Sequence, residues 1–154
     1  MALQSGSEEE TLRIGREIGG FLSAGDVVAI RGELGAGKSV LVRGVCEGLG
    51  VRQRTRSPSF TFMIRYRGPV DVYHIDLYRV EAAGDLATLG WEEAVYGEAV
   101  TVIEWAEKLQ SFLPPASVQI GIEVTGEESR NVEVEASDDR HGGLIEKLVK
   151  SHGK

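Results

Sequence analysis

The chain has 154 residues, 42% of them hydrophobic, and a formal net charge of −7. That length predicts one domain over residues 1–154, with a core that needs no disulfide or metal staple. The charge makes for a poor general nucleic-acid binder, since that affinity rests on neutralising phosphates, and leaves room for a local basic patch. The lone Cys46 excludes an internal disulfide and suits a reducing compartment.

Glu8, Glu9 and Glu10 stand where a signal peptide would need an apolar stretch. No segment has the length and apolarity of a membrane span, so a cytoplasmic location without membrane contact is expected. Ser7-Glu8-Glu9-Glu10 reads as a capping box. It predicts a helix with Leu12, Ile14, Ile18 and Leu22, ending near Gly25. Val27-Val-Ala-Ile30 is a short apolar run of the kind that forms a buried strand, and Ser39 to Leu49 reads as a helix. Gly48 and Gly50 are expected to loosen the end of that helix. Cys46 shares a face with Val42 and Leu49, which predicts a packed core thiol.

Between that strand and helix lies Gly32-Glu-Leu-Gly-Ala-Gly-Lys-Ser39, which fits the phosphate-binding pattern G-x-x-x-x-G-K-[ST]. Gly32, Gly35 and Gly37 permit backbone conformations that a side chain would block. Backbone amides along this stretch, those of Leu34 and Ala36 included, then form an anion nest. The following helix points its positive dipole end at the same charge. Lys38 is placed to reach the β and γ oxygens of a nucleotide, and the Ser39 hydroxyl to bind Mg²⁺.

Beyond the loop, residues 51–59 are polar, with Arg52, Arg54 and Arg56 before Ser57-Pro58-Ser59, and are expected to be exposed. These arginines suit contact with tRNA, contact with a protein, or plain solvation. Phe60–Tyr66 and Val70–Leu77 are predicted as an antiparallel hairpin around Arg67-Gly68-Pro69. Glu81–Tyr96 reads as a helix broken near Gly90. Ala99–Ile103 is a nearly continuous apolar run, the mark of a buried parallel strand. Trp105–Phe112 is predicted as a short helix stopped by Pro114-Pro115. Val118–Val124 and Val132–Ala136 alternate as late strands, and Leu144, Ile145, Leu148 and Val149 mark a last helix. The pattern predicts an α/β, three-layer P-loop fold: a mixed sheet flanked by helices, with its ligand at the carboxyl ends of the strands.

A P-loop nucleotidase needs a carboxylate near Mg²⁺, normally after an apolar strand. Glu104 closes the Val100–Ile103 run and is the first candidate. Asp76 closes Val72–Ile75 and is a candidate to orient the attacking water or to stand behind the metal's direct ligands. His74 shares a strand face with Asp76 and is expected to be a hydrogen-bonded structural histidine. The three histidines lack the spacing of zinc ligands. Guanine-reading proteins commonly carry Asn-Lys-x-Asp. The one Asn here, Asn131, precedes Val132, so ATP is expected over GTP.

These segments together resemble the bacterial TsaE (YjeE) family of small P-loop ATPases. The resemblance runs through Gly25-Asp26, Gly32–Ser39, Ser57-Pro-Ser-Phe-Thr61, Tyr73-His-Ile-Asp-Leu-Tyr-Arg79, Leu89-Gly90 and Ile103-Glu-Trp105. It loosens from about Pro114. It implies a part in making threonylcarbamoyladenosine in tRNA, beside a TsaB–TsaD heterodimer whose TsaD member performs the transfer. ATP hydrolysis would reset that complex, and tRNA would be met only through it. The resemblance assigns Lys38 and Ser39 to phosphate and Mg²⁺, Glu104 to the metal, Asp76 to catalysis, and Ser57-Pro58-Ser59 to a switch-like loop. It also places Trp105 beside the site. Ser39 and Ser59 stand where the family usually has Thr, and both keep the hydroxyl. The family often has a basic residue near Gly126, where Glu127 and Glu128 follow here and only Arg130 is basic. Two other readings of the P-loop stay open: a small-molecule kinase, and a nucleotide-dependent binding module without turnover.

Overall fold

The computed structural model describes residues 1–33, 35–55, 62–78, 91–109, 118–136 and 142–152. Seven strands form one sheet: β1 (Ala2–Ser5), β2 (Val27–Arg31), β3 (Met63–Tyr66), β4 (Val72–Asp76), β5 (Val100–Glu104), β6 (Val118–Val124) and β7 (Arg130–Ala136). Their order is β1-β7-β6-β2-β5-β4-β3. The middle four, β6, β2, β5 and β4, run parallel, while β3 and the β7–β1 pair are antiparallel margins.

The helices are α1 (Glu8–Gly20), α2 (Lys38–Gly48), the short α3 (Trp91–Val95) and α4 (Gly142–His152), with a 3₁₀ turn at Ala106–Leu109. Alternation along the strands sends side chains to two apolar layers. Val28, Ile30, Val100 and Val102 pack with α1, α2 and α4. Val27, Ile75 and Ile103 pack on the other face with Ala94 and Val95 of α3. The expected α/β mixed sheet flanked by helices is what the chain forms.

Helix α1 begins as its sequence dictates. The Ser7 hydroxyl accepts from the Glu10 amide at 3.1 Å, satisfying one donor of the first turn. The reciprocal bond comes from the Gly6 amide to the Glu10 carboxylate, at 3.1 Å. The helix stops at Gly20, not near Gly25, because Phe21 folds its amide back onto Gly19 and Ile18.

The end of α2 also corrects an expectation. Gly48 does not loosen it. Gly50, at φ 86°, reverses the chain while the Gly50 and Val51 amides bond the Glu47 and Cys46 carbonyls, both at 3.0 Å. That is a Schellman closure, which satisfies the terminal carbonyls.

Two further expectations change. Strand β1 was not foreseen from the sequence; its register pairs Leu3 with Val132. The segment after Glu104 opens as a 3₁₀ turn at Ala106, one residue beyond Trp105, since Trp105 itself sits at φ 62° and cannot start a right-handed helix. The helix expected over Glu81–Tyr96 is described only from Trp91 onward.

Helices α1 and α2 touch through glycine. Gly15 and Gly19 of α1 face Gly44 and Gly48 of α2. A β-carbon at Gly15 would stand 2.8 Å from the Leu41 carbonyl oxygen, and one at Gly44 would stand 2.5 Å from that of Leu12. At Gly19 and Gly48 it would collide with the Val45 and Arg16 carbonyl oxygens. Only glycine permits such backbone approach.

Candidate functional site

The P-loop leaves the carboxyl end of β2 and enters α2 at Lys38, and within it the Ala36 amide donates to the Glu33 carbonyl at 3.1 Å. Gly35 and Gly37 take φ 81° and 104°, the left-handed region that glycine enters freely. Gly37 caps α2 without any side-chain bond. Gly32 passes so close to β6 that a β-carbon would lie 2.7 Å from the Ile122 carbonyl oxygen. Leu34 lies outside the described residues.

Lys38 is 6% exposed. Its ammonium donates to the Gly32 carbonyl at 2.7 Å and lies 4.2 Å from the centre of the Trp105 ring. A cation over an indole face is held by the ring quadrupole. The left-handed Trp105 backbone turns the chain just after Glu104, and Tyr78 lies against the same indole, ring centres 5.2 Å apart. Backbone strain of this kind concentrates where function requires a particular geometry. Phe62, at φ 63°, is a second such residue, and its carbonyl accepts from the Asp76 amide at 2.9 Å.

Both acidic candidates close their strands. Asp76 and Glu104 are register partners of parallel β4 and β5, and Ile30, two residues before Gly32, is the partner of Glu104 on β2. The site therefore assembles from three adjacent strand ends. Burial raises the Asp76 carboxyl above its ordinary range; the Tyr78 amide, donating at 3.0 Å, pulls it back. The neighbouring Glu104 raises it further, while His74 and Lys38 lower it. The Glu104 carboxylate, buried, meets His74 Nε2 at 2.6 Å. Ser39, exposed, is the second residue of α2.

Hard oxygen donors with few protein ligands suit Mg²⁺, which keeps several waters and binds alongside phosphates. Glu104, Asp76 and Ser39 supply such oxygens. Their chemistry would fit a Mg²⁺ that also takes phosphate oxygens; among the described residues no group of three or more His, Cys, Asp or Glu could hold a metal.

One residue of the site had no clear role in the sequence. Arg130, at the start of β7, donates through Nε to the Ala36 carbonyl inside the P-loop at 2.9 Å. Its Nη1 donates to carbonyls of the β6–β7 turn, Ser129 at 2.8 Å and Gly126 at 3.2 Å. The turn is thereby fastened to the loop. A single arginine in an acidic turn carries no local signal of this; the contact spans 94 positions of sequence.

Arg52 and Arg54 are exposed, and Arg56 and Ser57–Thr61 lie outside the described residues. A second concavity, about 460 Å³, opens at the amino ends of β2, β4 and β5, where Arg65 and Asp71 pair with each other. Ligands of parallel sheets bind at the opposite, carboxyl ends. No helix among the described residues is long and apolar enough to cross a membrane.

Known proteins agree with this geometry. The family described as "Threonylcarbamoyl adenosine biosynthesis protein TsaE" matches residues 5–132. The tRNA threonylcarbamoyladenosine biosynthesis protein TsaE of Treponema pallidum is 39% identical over 134 residues, covering 87% of this chain and 99% of the relative. Its namesake in Bacillus subtilis is 36% identical over 141 residues, covering 91% and 88%. The crystal structure of Bacillus subtilis YdiB superposes with a TM-score of 0.79 at 32% identity, covering 97% of this chain and 94% of that one. The chain belongs to the TsaE family of tRNA threonylcarbamoyladenosine biosynthesis proteins.

Proposed function

We propose that this protein binds ATP with Mg²⁺ and hydrolyses it to reset a TsaB–TsaD complex between turnovers of tRNA threonylcarbamoylation. The observation that carries the reading is the meeting of Asp76 and Glu104, from the neighbouring ends of β4 and β5, with Lys38 at the start of α2. The backbone of Gly32, Leu34, Gly35, Ala36 and Gly37, with Lys38, holds the phosphates. Ser39 and Glu104 hold Mg²⁺, which when bound neutralises charge on the β and γ oxygens. Asp76, whose carboxyl is held above its ordinary range by burial, orients water toward the γ-phosphate or takes its proton. Its setting is the cytoplasm.

The test is phosphate release from Mg·ATP by the purified protein, alone and with a TsaB–TsaD pair. Slow release that rises with the pair is the expected result. Release indifferent to the pair removes the coupling, and phosphoryl transfer to a small molecule without the complex establishes a kinase. Lys38→Ala is the control: it removes a charge-assisted phosphate contact, of about 1.5–3 kcal/mol for bonds to charged groups. Nucleotide affinity that survives it speaks against the P-loop reading.

A further inference from the structure

We propose that His74 is a positioning residue: it fixes one oxygen of the Glu104 carboxylate and so presents the other to Mg²⁺. The inference rests on the metal role given to Glu104 above.

His74 is 2% exposed. It lies on β4 with Val72 and Asp76 on one face, and its register partner on β5 is Val102, two residues before Glu104. The two side chains therefore cross diagonally between parallel strands, and Nε2 reaches Oε2 at 2.6 Å. An ionised carboxylate only accepts, so Nε2 carries the proton in that contact. The other ring nitrogen, Nδ1, is buried without a hydrogen-bond partner among the described residues. A residue kept for packing alone would not carry this orphan. Val72, Val100 and Val102 beside it on the two strands are fully buried, and an aliphatic side chain would fill the place without a buried polar atom. What the imidazole adds is a single aimed donor.

That donor matters because a free carboxylate has two equivalent oxygens and a rotating terminal torsion. Held at Oε2, Glu104 keeps Oε1 for the metal or one of its waters. Partners of this kind behind a metal ligand typically govern affinity by 10–100-fold when removed.

The experiment measures Mn²⁺ binding by electron paramagnetic resonance, with a non-hydrolysable ATP analogue bound, beside the thermal midpoint and the Mg²⁺ dependence of phosphate release. His74→Leu is expected to weaken Mn²⁺ about tenfold and to leave metal-free nucleotide affinity unchanged. His74→Gln, whose amide reaches as Nε2 does, is expected to recover most of that loss. His74→Asn has a shorter reach, and it replaces the leucine variant with the same expectation should that one fail to fold. Mn²⁺ affinity unchanged in the variant that lacks reach, or no better in His74→Gln, overturns the proposal. Glu104→Gln separates the two levels. If Mn²⁺ binding ignores that change, the metal role of Glu104 falls and takes the positioning role with it. If it responds to Glu104 but not to His74, only the positioning role falls.

Discussion

Asp76 sits half-buried beside a second carboxylate, and burial is the main reason its carboxyl is raised. The consequence for stability has a definite sign. The unfolded chain loses this proton first as pH rises, and the folded chain loses it later. Between those two points the folded state binds the extra proton, so stability falls with rising pH. Asp76→Asn has no such dependence. Its stability relative to the parent protein is therefore expected to increase from acid to neutral pH, in denaturant titrations at several pH values. The same variant is expected to lower phosphate release by about 10²-fold, the lower range for a lost general base. A residue that strains the fold while serving the chemistry is a common trade. Cys46 shows the contrast: burial, then Glu47, pushes its thiol up to about 12, and it serves only the core.

At the scale of elements, the α1–α2 contact is the most sharply defined. Its four glycines bring backbone against backbone, so a methyl group at Gly48 must part the helices. Gly48→Ala is expected to cost about 1–3 kcal/mol as overpacking, read as a Tm lower by several degrees. Gly20→Ala is the control: nothing lies within 4 Å of its β-carbon position, and replacing a helical glycine gains about 0.5–1 kcal/mol. Equal effects at the two positions would mean that propensity, and not contact, governs both. This contact also marks the limit of reading sequence. The P-loop was legible because its chemistry is local: eight consecutive residues dictate the nest and the dipole. So were the ends of β4 and β5, from apolar runs closed by a carboxylate. The glycine pairs were not, since a glycine in a helix reads as weakness until its partner helix is known. Strand β1 was hidden for a similar reason: four residues with one buried leucine acquire a register only from β7. The His74–Glu104 contact likewise required knowing that β4 and β5 are parallel neighbours, although their shared importance to one strand end was visible.

For the whole molecule, the charge of −7 bears on its partners. Phosphate neutralisation dominates nucleic-acid affinity, and the exposed Arg52 and Arg54 are a small counterweight. The isolated protein is therefore expected to retain no tRNA in gel-shift titrations at about 0.15 M salt, where surface charges are screened beyond ~8 Å. Retention is expected only when the TsaB–TsaD pair is present. Tight binding by the isolated chain would move the arginine-rich segment from the periphery of the function to its centre.

The glycine seam has one more consequence. Where helices meet through side chains, a small displacement is absorbed as rotamers exchange, and the contact carries the entropy of those choices. Across Gly15, Gly19, Gly44 and Gly48 there are no rotamers to exchange. The seam forfeits no side-chain freedom on folding and offers none in return. A shift of α2, the helix that begins at Lys38, is therefore expected to pass to α1 backbone against backbone.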